Sequence, residues 1–277
     1  DSLELLFFLS NATSLILPPS PLNAISGRLK LVYNFLTDSK ASFVNVNDTV
    51  LSGIVIDLDG YLNVDLSAKA YLADKLDFSK IASRSLGDNV YLEVLDCYLS
   101  KKSKNTILEW HNDIGYNPNS ANAEKDFLEK AKSTIYKHKT QKSSMGIKFF
   151  IYITDVKSND GALGIIPYSH KIVYALTNLI LEKKINLKPY WKLKDLRNII
   201  LQEDNKKHFL HYIDKNELEK FIEHTKFVDT STEETLNFDF AMSKNSAVIF
   251  DEMAVHRGSA PTQNDRLVLR YLYRRKL

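Results

Sequence analysis

Residues 146–156 read "GIKFFIYITDV". Aromatic and β-branched side chains follow one another there with almost no polar break. A short run of that composition predicts a strand buried on both faces. Similar runs recur at "VYLEVLDCYL" (90–99), "NTILEWHNDIGY" (105–116), "ALGIIPYSHK" (162–171), "SAVIFDEMAVHRGSA" (246–260) and "RLVLRYLYRR" (266–275). Turn signals separate them, such as "SNDG" at 158–161. "SGIVIDLDGYLNVD" (52–65) reads as two short strands around Asp59-Gly60, a hairpin-type dipeptide. Many strands joined by turns, with no regular alternation of strand and helix, argue for an antiparallel sandwich or barrel.

Helices are expected in three places. "SAKAYLADKLDFSKIASRSL" (67–86) has apolar residues at three- and four-residue spacing, with Ser67 as its cap. It is expected on the outside of a sheet. Two lysine-rich, largely helical insertions are expected at 114–145 and 172–240. Long insertions in a β scaffold are often lids or substrate-binding elements. The segment 24–38 fits a helix or a strand. The chain of 277 residues reads as a single domain. Its core occupies approximately 90–277, supported by 1–89.

A hydrophobic fraction of 44% is enough for a sizeable core. The 37 basic and 34 acidic residues leave a net charge of only +3, so nucleic acid is not the expected partner. The apolar N-terminus is interrupted by "SNATS", carries Asp1 and Glu4, and is too short to span a bilayer. One cysteine, Cys97, rules out an internal disulfide. That fits a reducing, cytoplasmic setting, with Cys97 as a small buried hydrophobe.

Seven histidines stand at 111, 138, 170, 208, 211, 224 and 256. His138 lies in the solvated run "YKHKTQK"; His208, His211 and His224 lie in a polar, helical region. His111 and His256 differ, because both sit where a strand ends. Asp113 follows His111 by two residues. Side chains at i and i+2 point to one face of a strand, so an imidazole and a carboxylate so spaced can meet one ion. A third ligand from a neighbouring strand completes the 2-His-1-carboxylate triad suited to Fe(II), with open positions opposite. Arg266 follows His256 by ten residues and begins the next strand. A dicarboxylate co-substrate that chelates a metal through its ketoacid end needs such a bidentate cation at the other end. Ser259 can add a hydroxyl. The plainer alternatives are a surface turn at 111–113 and an ordinary charged strand start at 266.

Four segments in order, "WHNDIGYN" (110–117), "FFIYITDVKSNDGALGIIPYSHK" (149–171), "NSAVIFDEMAVHRGSA" (245–260) and "DRLVLRYLY" (265–273), carry a family pattern. The chain resembles the phytanoyl-CoA dioxygenase-like branch of the Fe(II)/2-oxoglutarate-dependent oxygenases over residues 52–277. The resemblance implies a mainly β fold, a double-stranded β-helix (jelly roll) core with flanking helices and helical insertions. It implies iron held by His111, Asp113 and His256. It implies 2-oxoglutarate held by Arg266, with help from Ser259 and from Tyr152 or Lys148 across the barrel. His170 would support the fold and is not a ligand. The chain departs from the pattern at three points. Tyr168 stands where the family prefers Gly. The arginine follows the distal histidine by ten residues, not eleven, which leaves Arg270 as a fallback. "SAPTQND" replaces the usual Asn-X-Ser.

The implied reaction consumes O2 and 2-oxoglutarate, releases succinate and CO2, and oxidises a C–H bond of a small-molecule substrate. Hydroxylation is the expected outcome, with desaturation or ring closure as diversions. Related halogenases have Gly or Ala at the position of Asp113, which vacates a site for chloride. Asp113 therefore points to hydroxylation over halogenation. Two alternatives stay open: a non-catalytic jelly-roll binding domain, and a cupin-type metalloenzyme that does not use 2-oxoglutarate. In "NLKPYWKLKDLRN" and "STIYKHKTQK", Lys and Tyr are candidates for an anionic substrate group, and Trp191 for a pocket wall.

Overall fold

The computed structural model describes residues 14–16, 55–56, 61–63, 78–104, 108–114, 118–119, 121–133, 146–230, 238–244 and 246–275. The segment 24–38, the start of the helix at Ser67, the Asp59-Gly60 turn, His138 and residues 134–145 lie outside them.

Strand β6 (Gly146–Tyr152) is buried at every position, as its composition predicts. It lies between β9 (Ser246–Asp251) and β11 (Arg266–Arg275). Six further strands set the frame: β1 (Ser14–Ile16), β2 (Val55–Ile56), β3 (Tyr61–Asn63), β4 (Val90–Ser100), β5 (Leu108–His111) and β7 (Leu163–Ile165). Two more are β8 (Asp239–Phe240) and β10 (His256–Gly258). Among the described residues they form a seven-stranded sheet, β1-β9-β6-β11-β4-β3-β2, and a four-stranded sheet, β5-β10-β7-β8. Every pairing is antiparallel.

Alternation along β6 separates two cores. Phe150 and Tyr152 point between the sheets, where Val248, Phe250 and Val268 of the large sheet meet Leu163 and Ile165 of the small one. Phe149 points the other way. It stacks on Phe78 at 4.4 Å between ring centroids and meets Tyr273 edge-on. Phe78 opens helix α1 (Phe78–Leu86), so this helix covers the outer face of the large sheet. Two antiparallel sheets closed on a shared interior make the fold a jelly roll.

The described residues of both insertions are largely helical. The first carries α2 (Ala123–Ser133); the second carries α3 (Ser169–Leu181), α4 (Leu193–Ile200), α5 (Glu203–Tyr212) and α6 (Lys215–His224). Their apolar faces form a core of their own, which takes in Trp110 and Ile114 beside β5 and Met253 and Val255 before β10. The helices therefore press on the segments that flank the two candidate histidines. No helix among the described residues is long and apolar enough to cross a membrane.

Two strands expected from sequence divide differently. The run 246–260 has the composition of one strand. The chain instead leaves the large sheet after Asp251 and enters the small sheet at His256. Asp251 makes the turn: its carboxylate accepts the Met253 N–H at 2.8 Å and its carbonyl accepts that of Ala254 at 2.9 Å. Aspartate bonding its own backbone two residues on is a common way to break a ladder. The run 162–171 likewise stops as a strand at Ile165. Pro167 cannot donate to a ladder, Tyr168 takes the left-handed backbone with φ 63°, and α3 begins at Ser169.

Candidate metal centre

His111 ends β5 and His256 begins β10. These strands are neighbours, and the two histidines are directly paired in register. Their ring centroids lie 4.4 Å apart. Asp113 sits in the turn after β5, not on the strand itself. Its Oδ1 is 3.5 Å from His111 Nε2 and its Oδ2 is 3.5 Å from His256 Nε2. One donor atom from each of the three residues lies within 4.8 Å of the others. Among the described residues this is the group of three metal-capable side chains that the fold assembles.

Each imidazole is fixed in one tautomer. His111 Nδ1 lies 2.7 Å from the Glu109 carbonyl, and His256 Nδ1 lies 2.8 Å from the Ala254 carbonyl. A carbonyl only accepts, so each Nδ1 carries the proton and donates it. Each Nε2 is left with a lone pair aimed at the shared point. Metal-binding histidines are typically held this way, since the outer bond fixes both ring orientation and tautomer. Burial holds His256 at about 3 against the upward pull of Asp113, so it stays neutral and able to ligate. Burial also works to raise the Asp113 carboxyl. The Lys148 ammonium and then the two imidazoles outweigh it and hold that group well below the usual carboxylate range. The donor set is thus two imidazole nitrogens and one carboxylate on one side of a point. It fits a divalent transition metal with its other positions open.

The histidine side chains are only 3% and 6% exposed, while Asp113 is 34% exposed, so the way in passes Asp113. Trp191 stands beside this approach, its ring 5.2 Å from that of His111. Asn112 fixes it there. Its backbone N–H donates to the Trp191 carbonyl at 2.9 Å, and its side-chain amide donates to the Tyr190 carbonyl at 2.7 Å. Asn112 is fully buried, though a residue between two inward-facing positions of a strand should point outward. Nothing in the sequence marks this joint between helical insertion and centre.

A second group is also buried. Arg266 is 2% exposed and donates to the Gly161 carbonyl at 3.0 Å and to the Ser100 hydroxyl at 3.2 Å. Ser259 donates to the Ala162 carbonyl at 3.0 Å, and the Leu163 N–H donates to the Tyr152 hydroxyl at 3.2 Å. Three of the four residues expected at 2-oxoglutarate thus gather around 161–163. The fourth, Lys148, does not join them: its ammonium bonds Asp113. Arg270 is engaged with Asp96, Nε to Oδ1 at 2.9 Å.

The "PYSH" segment supports the centre from behind. The Ser169 hydroxyl donates to the Ile166 carbonyl at 2.7 Å and accepts the Val255 N–H at 2.7 Å. It therefore pins the residue just before His256. His170 stays outside the centre; burial, then Lys171, pushes its pKa down to about 3. His211 and His224 pack against Tyr212 and Phe238.

The sequence matches no protein-family model and no curated protein. Solved structures do resemble the fold. HygX from Streptomyces hygroscopicus, with nickel and 2-oxoglutarate bound, superposes at a TM-score of 0.56 and 16% identity, over 100% of this chain and 88% of that one. HygX has also been solved with iron bound, at a TM-score of 0.54. EctD from S. alaskensis, in its apoform, gives 0.51 at 13% identity, over 95% of this chain and 73% of that one. At such identities the likeness is one of fold.

Proposed function

We propose that this protein is an Fe(II)- and 2-oxoglutarate-dependent oxygenase that acts on a C–H bond of a small-molecule substrate. One observation carries the reading. Two histidines, each with Nδ1–H given to a carbonyl, aim their Nε2 lone pairs at one point shared with a carboxylate. The presence of iron, nickel and 2-oxoglutarate in HygX structures of the same fold supports it, as does the phytanoyl-CoA dioxygenase-like motif order.

In this reading His111, Asp113 and His256 hold the iron. Bound together, iron and 2-oxoglutarate supply oxidation of the substrate by O2, with succinate and CO2 as co-products. The chain's own residues do the rest. Arg266 takes the distal carboxylate of 2-oxoglutarate, and Ser259 and Tyr152 shape that end of the site. Arg266 is preferred to Arg270 because Arg270 is already engaged with the carboxylate of Asp96. The interior walls, including Phe250 at 5.3 Å from the His256 ring, keep water from the reacting centre. Trp191, fixed by Asn112, lines the approach and bears on which substrate is aimed at the metal. Asp113 fills the third protein position, which favours hydroxylation over halogen transfer.

The test is succinate formation from 2-oxoglutarate with Fe(II), ascorbate and O2. Arg266→Ala should raise the 2-oxoglutarate requirement by at least about tenfold, since it removes a bidentate, charge-assisted contact. Arg270→Ala should change it by less than about threefold. An unchanged 2-oxoglutarate requirement in Arg266→Ala would exclude Arg266 as its anchor, and an absence of succinate from wild type would favour a metalloenzyme that does not use 2-oxoglutarate.

A further inference from the structure

Lys148 stands on the inward face of β6, 5% exposed, with its ammonium on Asp113 Oδ2. A divalent ion held by His111, Asp113 and His256 needs the same carboxylate and repels the ammonium. Once displaced, that ammonium is inside the jelly roll, where an unpaired charge costs several kcal/mol. It needs another acceptor within reach of one side chain.

Glu252 supplies one. It lies in the turn between β9 and β10 and is 3% exposed. One carboxylate oxygen, Oε1, meets Arg274 Nη1 at 3.1 Å. The other, Oε2, is buried with no hydrogen-bond partner among the described residues. This oxygen lies directly over Gly146: a Cβ there would stand 2.2 Å from it. Glycine thus leaves the space that the carboxylate occupies. Gly146 and Lys148 are two residues apart on one strand, so they share a face. The turn is tied to β6 by the Glu252 N–H, which donates to the Gly146 carbonyl at 3.0 Å. Burial pushes the Glu252 carboxyl up, while Arg274 and then Lys148 pull it back.

We propose that Lys148 is a placeholder cation. It neutralises Asp113 before the metal arrives, then moves onto Glu252 Oε2 when the metal takes the carboxylate. Metal entry exchanges one buried ion pair for another and leaves no charge unpaired. Glu252 is in this scheme a positioning residue that acts on the centre through Lys148.

The inference rests on the metal-centre reading, and a double-mutant cycle separates the two. Co(II) alone, without 2-oxoglutarate, is titrated into the full-length chain and followed by its ligand-field absorption, with folding of each variant checked by circular dichroism. Lys148→Met should tighten Co(II) binding about tenfold, because the competitor is gone. Glu252→Gln should weaken it about tenfold. Glu252→Asp keeps the charge but withdraws it by one methylene, and should weaken binding nearly as much. In the Lys148→Met background, Glu252→Gln should have no effect beyond about twofold. If Glu252→Gln costs the same with and without Lys148, or Glu252→Asp binds like wild type, the exchange is refuted and the metal centre stands. If wild type takes up no Co(II), or Asp113→Asn takes it up equally well, the metal-centre reading itself fails.

Discussion

His111 and His256 face each other at one register position of the β5–β10 pair, and each ring donates Nδ1–H to the carbonyl two residues before it. The same local device used twice gives two parallel outcomes. Antiparallel pairing brings the rings together, and the backbone of each strand orients them. Asp113 needs only a short turn to reach the point on which they converge. The centre is therefore a property of one strand pair, stiffened on one side by Asn112 and on the other by Ser169.

Acid should destabilise the protein through its buried neutral histidines. His170 is held at about 3 when folded, whereas an unfolded histidine takes a proton near 6.5. Below about 6.5 the unfolded chain binds the additional proton, so stability is full above that pH and is lost as pH falls towards 3. At pH 5 the loss from this group is on the order of 1–2 kcal/mol. Urea midpoints at pH 7 and pH 5 measure it. His170→Gln should reduce the difference; an unchanged difference would show that His170 does not contribute.

Ser169→Ala should destabilise the fold by about 2 kcal/mol. It leaves the buried Val255 N–H without its acceptor, and an unsatisfied buried donor costs about 1–3 kcal/mol. The denaturant midpoint should fall with an unchanged slope. Because Val255 precedes His256, Co(II) affinity should fall as well. Normal stability together with normal affinity would mean that the contact does not position His256.

Tyr168 has a left-handed backbone with φ 63°. A side chain in that region costs about 1–2 kcal/mol. Tyr168→Gly should therefore raise stability by about 1 kcal/mol, after some loss to the greater freedom of the unfolded glycine. The Tyr168 ring also lies under the Lys220 ammonium at 5.7 Å. A lowered midpoint would mean that this contact outweighs the backbone strain.

How far the sequence could be read follows from which interactions are local. The strands β6 and β11 were legible because burial on both faces writes a nearly continuous apolar run, and β4 was legible from its β-forming residues although Tyr91 and Glu93 face solvent. The candidate set was legible because two of its members lie two residues apart and the third stands ten residues before an arginine that opens a strand. The break between β9 and β10 was not, since an Asp251 turn inside an apolar run resembles an uninterrupted strand. Asn112 and Glu252 were not legible either. Each acts through partners far along the chain, Tyr190 and Trp191 for one and Arg274 and Gly146 for the other. The family resemblance points to Tyr152 or Lys148 at the co-substrate, and only the folded chain shows the Lys148 ammonium on Asp113.

The most direct test of the account is anaerobic titration of the purified protein with Fe(II), then with 2-oxoglutarate, followed by the visible charge-transfer absorption of an Fe(II)–ketoacid chelate. Wild type should bind one equivalent of iron and develop the absorption when 2-oxoglutarate is added. Asp113→Asn and His256→Ala should each weaken iron binding at least about a hundredfold, and neither should give the absorption under the same conditions. An absence of iron binding in wild type, or an equal absorption in these variants, would contradict the assignment of His111, Asp113 and His256 as the metal centre.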